Sequence, residues 1–217
     1  YEIGSGLVGS EMCIRDRGIT GGIGSGKSYV ARMLSQKGFA VYDTDSEAKR
    51  LMLSDTDIRR GLIELLGPEV YSGEKLNKPL LANYLFATEE NAARINSIVH
   101  PCVKRDFLRW AAVRSNDELV VLESAILYES GFEDVVDYVV TVYAPLEIRI
   151  SRAIERDHST AEQVKERIAS QMDEDLKCSR ADFVVINDGR SLLPQLENLL
   201  KALKNGKGGR EACVCRM

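Results

Sequence analysis

The sequence predicts an α/β protein in which five parallel strands are sandwiched by helices, with a helical insertion between the second and third strands. Three observations predict this. Short, bare apolar runs recur along the chain and are separated by helical stretches, the pattern of a parallel sheet covered on both faces. A glycine-rich turn lies between the first strand signal and the first helix signal. The block 54–116 is mostly helical in periodicity and holds no clear strand.

The first strand is reduced to Ile19-Thr20. A helix is predicted from about Ser28, with Val30, Met33 and Leu34 on one face and Gly38 at its end. Phe39-Ala40-Val41-Tyr42 is the second strand and stops at Asp43-Thr44-Asp45. Leu119-Val120-Val121-Leu122 is the third, Tyr138 to Tyr143 the fourth, and Phe183-Val184-Val185-Ile186 the fifth, closed by the turn Asn187-Asp188-Gly189. Thr160 and Gln163 form a capping-box pattern that opens a helix. Pro101 is expected to push His100 out of helical geometry.

The two ends read differently. Gly4 to Gly9 spells GxGxxG, but only three residues precede it, so no strand feeds the turn and a dinucleotide site is rejected. Residues 1–17 are charged where a first strand should be apolar, and are expected to be non-native, in the manner of translated adaptor sequence. Residues 205–217, rich in Gly and basic side chains, are expected to be a frayed or non-native end.

The chain has 217 residues, 44% apolar and 29% charged, with a formal net charge of −4. That is the size of one α/β core with an insertion, and its charge favours neither nucleic acid nor an anionic membrane as partner. No apolar run reaches the length of a membrane span, and no signal peptide is evident. The five cysteines are odd in number and form no CxxC pair, which predicts reduced thiols and a cytoplasmic location. Cys213 and Cys215 lack the second pair that would complete a metal site.

Gly21-Gly22-Ile23-Gly24-Ser25-Gly26-Lys27-Ser28 fits G-x-x-x-x-G-K-[ST] in full. Glycines let the backbone curl so that successive N–H groups face phosphate oxygens, and the following helix aims its positive end at the same anion. Lys27 is suited to the β- and γ-phosphates and the Ser28 hydroxyl to Mg²⁺. A guanine-reading N-K-x-D is absent, since Asn77-Lys78 continues as Pro79-Leu80.

Asp43 and Asp45 follow the second strand, at the edge where open parallel sheets bind ligands. Either can cap the next helix; the upstream phosphate loop favours Asp45 as the carboxylate that accepts a hydroxyl proton during phosphoryl transfer. Glu123 has two readings, an acid acting near Mg²⁺ through water or a turn cap. Arg149, Arg152 and Arg156 share a helix face, which by pattern alone is a solvated basic face paired to Glu147 and Glu155. Trp110, beside Phe107 and Leu108, reads as core.

Thr20 to Ser28, followed by Val41-Tyr42-Asp43-Thr44-Asp45, resembles the opening of the dephospho-coenzyme A kinase family. His100-Pro101, Ala125-Ile126-Leu127-Tyr128-Glu129, Arg152, Arg156-Asp157 and Ala181 to Asn187 resemble its later motifs in order, from about Gly18 to Leu203. Ser124 or Ala125 stands where that family has Pro, and Tyr128 where Phe is common. The resemblance implies a P-loop kinase-type fold: a core over 18–53, 117–145 and 178–203, a substrate-side helical insertion over 54–116, and a lid over 146–177. It implies transfer of the ATP γ-phosphate to the ribose 3′-hydroxyl of dephospho-coenzyme A. Asp45, Lys27 and Arg152 are then the expected catalytic residues. Gly22, Ile23, Gly24, Ser25, Gly26, Lys27, Ser28, Tyr29, Arg156 and Asn187 are expected to bind ATP, and Ser28 the Mg²⁺. Asp45, His100 and Glu129 are expected to meet the acceptor. For Arg152 and Arg156, but not Arg149, the resemblance replaces the solvated-face reading. Another nucleoside, nucleotide or shikimate kinase, or a nucleotide-dependent switch without phosphotransfer, are the rival readings; oligomeric state is not legible in the sequence.

Overall fold

Apolar runs too short for helices can bury their backbone polar groups only by pairing, and here they pair into one sheet. The computed structural model describes residues 16–204; both cysteines of the 213/215 pair and the GxGxxG of residues 4–9 lie outside them. In chain order the strands are β1 (Asp16–Thr20), β2 (Ala40–Asp43), β3 (Tyr71–Ser72), β4 (Lys75–Leu76), β5 (Val120–Glu123), β6 (Tyr138–Tyr143) and β7 (Phe183–Ile186). The helices are α1 (Lys27–Gln36), α2 (Thr44–Ser54), α3 (Thr56–Leu66), α4 (Lys78–Leu85), α5 (Glu89–Ala112), α6 (Leu146–Asp157), α7 (Ala161–Ala169), α8 (Glu174–Arg180) and α9 (Leu193–Lys204). Five strands form a parallel sheet in the order β2-β5-β1-β6-β7. β1 is central, and the chain leaves it first towards β2 and later towards β7, so the strand order reverses beside β1's carboxyl end. That is where such sheets bind ligands.

Alternation along each strand sorts side chains to two cores. Val120 and Leu122 join Tyr42, Ile58, Leu62, Val99 and Phe107 on one face, so the insertion shares its core with the sheet. Leu119 and Val121 join Ile19, Val30, Leu34, Val142 and Leu196 on the other, beneath α1 and α9. Each such side chain contributes about 1.5–3 kcal/mol of transfer free energy when fully buried.

Three expectations change. First, β1 begins at Asp16, two residues before the expected boundary at 18. Its main chain pairs on both sides, Arg17 lying opposite Val121 and Tyr138, and a two-sided ladder recruits the backbone whatever the side chain. The Arg17 side chain is buried, with its guanidinium 4.2 Å over the Tyr138 ring and 3.5 Å from Asp137. Second, α5 runs unbroken through Pro101, so His100 is helical. Apolar contacts at Ile95 and Val99 before the proline, and at Val103, Phe107 and Ala111 after it, outweigh the roughly 3 kcal/mol that an interior proline costs. Third, the insertion contains an antiparallel two-strand hairpin, β3 with β4, turning at Gly73. Two-residue strands are too short to carry a period.

Candidate active site

The phosphate loop leaves β1 at Gly21 and enters α1 at Lys27. Its glycines are required by contact as well as by conformation. Gly24 has φ 78° and a Cβ there would collide with the Arg149 carbonyl; Gly26 has φ 92° and a Cβ there would strike the Asn187 amide. The Ser25 N–H closes a turn on the Gly22 carbonyl at 3.1 Å, and Gly26 O accepts from Tyr29 and Val30 as the first turn of α1 forms. Among the described residues, no protein acceptor takes the N–H groups of Gly24, Gly26, Lys27 or Ser28. A row of such donors at a helix N-terminus is an anion cradle. The exposed Tyr29 side chain stands just beyond it.

Acids gather at the same edge. β5 ends at Glu123, whose Oε1 accepts from the Ser28 hydroxyl at 2.5 Å. Burial pushes the Glu123 carboxyl up from the usual range; the Ser28 hydroxyl and Lys27 oppose this, while the charges of Asp43 and Asp45 add to it. Four neighbouring side chains thus bear on Glu123. Of the acidic pair, one member is a cap. Asp43 caps α2, accepting from the Asp45 N–H at 3.1 Å and the Ser46 hydroxyl at 2.6 Å. Asp45, in the first turn of α2, is exposed and keeps its carboxylate out of the cap.

From the opposite side of the loop, Arg152 donates to the Asn187 carbonyl and to Asn187 Oδ1, both at 3.2 Å, and Asn187 Nδ2 donates to the Ser25 carbonyl at 2.8 Å. Asn187 thus meets the loop directly, and Arg152 through Asn187. Tyr29, Arg32, Arg152, Asn187, Arg190 and Leu192 line a cavity of 620 Å³ beside it. Arg156, exposed, grips Asp157 through two bonds of 2.7 and 2.9 Å, and feels the charge of Asp45. Arg156, followed by Arg167, holds the Asp157 carboxyl well below the usual range.

Arg149 corrects the sequence reading. It is not on a solvated face: it is 4% exposed, donates Nε to the Ile23 carbonyl at 3.0 Å, and lies 3.7 Å from Glu174. Helical spacing groups residues on a face without saying where the face points, and α6 starts just past β6, under the loop. Glu174 and Gln171, which accept from the N–H groups of Gly22 and Ile23 at 2.7 and 2.9 Å, had no signal in the sequence at all. Glu129 accepts from the Met172 N–H at 2.8 Å and pairs with the wholly buried Lys177 at 3.3 Å, so it braces the turn before α8. The His100 ring packs on Phe132 at 6.5 Å, and burial lowers its pKa.

The hard oxygen donors of Ser28 and Glu123, in contact with each other, suit Mg²⁺, which takes few protein ligands and shares its shell with phosphates and water. No three His, Cys, Asp or Glu among the described residues converge as a metal site of their own.

A glycine cradle on the N-terminus of α1, an acid group across from it, and a five-stranded parallel sheet between helices together define a P-loop kinase. The family model for dephospho-CoA kinase matches residues 16–192. The dephospho-CoA kinase of Bacteroides fragilis strain YCH46 is 51% identical over 187 residues, covering 86% of this chain and 91% of that protein. The crystal structure of a Thermus thermophilus protein superposes with a TM-score of 0.74 at 35% identity, over 90% of this chain and 99% of that one. A dephospho-CoA kinase from Campylobacter jejuni, at 20% identity, shares the fold with a TM-score of 0.65 over 88% of this chain and 98% of that one. The chain belongs to the dephospho-CoA kinase family.

Proposed function

We propose that this kinase transfers the γ-phosphate of ATP to the 3′-hydroxyl of dephospho-coenzyme A, with Asp45 receiving the hydroxyl proton. The observation that carries the proposal is the division after β2: Asp43 is spent on the cap, and Asp45 is left exposed with its charge acting on Glu123, which in turn bonds Ser28 and feels Lys27. A carboxylate so placed orients an alcohol and takes its proton as the oxygen attacks. The N–H groups of Gly24, Gly26, Lys27 and Ser28 hold the β- and γ-phosphates, and Lys27 and Arg152 stabilise charge on the moving phosphoryl group. Ile23, Ser25 and Gly22 shape the loop; Tyr29 and Asn187 flank the 620 Å³ cavity, which we assign to the nucleoside. Ser28 and Glu123 would hold Mg²⁺, which would supply charge neutralisation when bound. Arg156 sits within the field of Asp45 and is assigned to the lid. His100 and Glu129 are assigned to the acceptor side on the family pattern, and the cytoplasm to the protein on its cysteine pattern. Among the described residues, no helix is long and apolar enough to cross a membrane.

The test is an acceptor panel. Purified protein with Mg·ATP is offered dephospho-coenzyme A, nucleosides, nucleotides and shikimate in turn, and ADP is followed. Rapid ADP release with dephospho-coenzyme A alone is the expected outcome; equal or faster release with another acceptor would reject the substrate assignment.

A further inference from the structure

The segment joining α7 to α8 and the first residue of α8 each send a side chain back onto the phosphate loop. Glu174 Oε1 accepts from the Gly22 N–H at 2.7 Å, and Gln171 Oε1 accepts from the Ile23 N–H at 2.9 Å. Arg149 completes the contact from α6, donating Nε to the Ile23 carbonyl at 3.0 Å and lying 3.7 Å from Glu174 Oε2. Gly22 is packed directly against this group, since a Cβ there would collide with the Arg149 guanidinium and come within 2.6 Å of Glu174 Oε1.

A buried carboxylate and guanidinium are a poor choice for stability alone. Glu174 is 8% exposed and Arg149 4%, and desolvating such a pair costs about as much as its attraction returns. What the pair does achieve is a partition of the loop. The donors of Gly22 and Ile23 are taken by Glu174 and Gln171, which form a strap across the loop, and that of Ser25 by the Gly22 carbonyl. The donors of Gly24, Gly26, Lys27 and Ser28 have no protein acceptor among the described residues. One half of the loop is clamped, and the other half is left to converge on an anion without rearranging first. Preorganised donors of this kind give affinity by removing the ordering cost of binding.

We propose that Glu174, Gln171 and Arg149 are positioning residues that pre-aim the phosphate loop, so that affinity for the nucleotide is set from the α7–α8 turn. They act through the backbone of Gly22 and Ile23. The strap also ties the loop to Glu129, which holds the same turn through the Met172 N–H. The inference rests on the reading that this loop holds the triphosphate.

Glu174→Ala and Glu174→Gln are compared in the full chain, with Mg·ATP binding measured by calorimetry and KM measured separately for ATP and for dephospho-coenzyme A. Losing the acceptor for Gly22 should weaken ATP binding and raise KM for ATP roughly tenfold. KM for dephospho-coenzyme A should stay put. Glu174→Gln keeps an acceptor oxygen and should stay within about threefold of the parent for ATP. A purely structural role would lower kcat through loss of folded enzyme and leave both KM values alone; that result, or equal losses in the two variants, overturns the proposal. Should Glu174→Ala not fold, Gln171→Ala, at a half-buried site, carries the same test: a several-fold rise in the ATP Kd supports the strap and an unchanged Kd refutes it. A parent protein that bound no ATP would instead overturn the functional reading itself.

Discussion

Two aspartates of identical chemistry, two positions apart, have different surroundings because of where their backbone sits. Asp43 has an extended backbone at the end of β2, so its carboxylate meets the N–H of Asp45 and the Ser46 hydroxyl. Asp45 already lies in the first turn of α2, takes no part in the cap, and its charge is felt by Glu123 and Arg156. This asymmetry makes a sharp prediction. Asp45→Asn should retain ATP binding and lose roughly 10²–10⁴-fold in kcat, the usual worth of a positioned general base. ADP release at saturating substrates, with nucleotide affinity measured in parallel, checks it; turnover within a few fold of the parent would remove Asp45 from the reaction. Glu123 carries a related lesson. Its identity as the last residue of a buried strand is what raises its carboxyl, and its bond to Ser28 is what ties it to the loop.

Single elements depend on local rules that can be tested without reference to catalysis. α7 opens on a complete capping box: Thr160 Oγ1 accepts from the Gln163 N–H at 3.3 Å, and Gln163 Oε1 accepts from the Thr160 N–H at 3.1 Å. Thr160→Ala should cost about 1 kcal/mol and Thr160→Gly only a few tenths. In a chain of this size the alanine variant should melt about 2–4 °C below the parent and the glycine variant close to it; the reverse order in calorimetry would discard the cap. β1 makes a prediction about pH. Burial, then the neighbouring Asp137 charge, pushes the Asp16 carboxyl up to about 6 from 3.8, against Arg17. Between about pH 4 and 6 the folded chain therefore holds a proton that the unfolded chain releases. Stabilisation from protonated Asp16 is fully present below 3.8 and is lost as pH rises through 6. Asp16→Asn should thus flatten the fall in Tm across that window and melt above the parent at pH 7. Parallel Tm profiles for the two proteins from pH 4 to 7.5 would show that Asp16 does not titrate this way.

At the scale of the molecule, the insertion and the sheet are one cooperative body. Phe107, on α5, is wholly buried; it meets Tyr42 of β2 edge-on at 5.4 Å and stacks on Trp110 at 6.1 Å. Tyr42 in turn donates to Asp106 at 2.8 Å, and Arg50 of α2 reaches the same carboxylate at 2.6 Å. Phe107→Ala should cost about 3–5 kcal/mol, which lowers Tm on the order of 10 °C. Because the cluster spans both parts, the variant should still unfold in one transition by calorimetry. Two resolved transitions would mean that the insertion unfolds on its own.

Much of this was legible in the chain itself. The buried strands are contiguous apolar runs, so β5, β6 and β7 lie within a residue of where their patterns put them. The phosphate loop is written in consecutive residues because one turn must supply all its donors, and the capping box spans only Thr160 to Gln163. What the sequence determined, then, is the buried strands, the Thr160 cap and the phosphate loop, whose causes lie within a few residues. The tertiary structure alone decided the rest. It decided that α5 continues through Pro101, because apolar contacts on both sides outweigh the local preference. It decided that Arg149 faces inward and that Glu174 and Gln171 reach Gly22 and Ile23, because partners separated by more than a hundred residues leave no periodicity to read. Local order is encoded by neighbours in the chain, whereas the clamp on the loop exists only once β1, α6 and α8 have been brought together by burial.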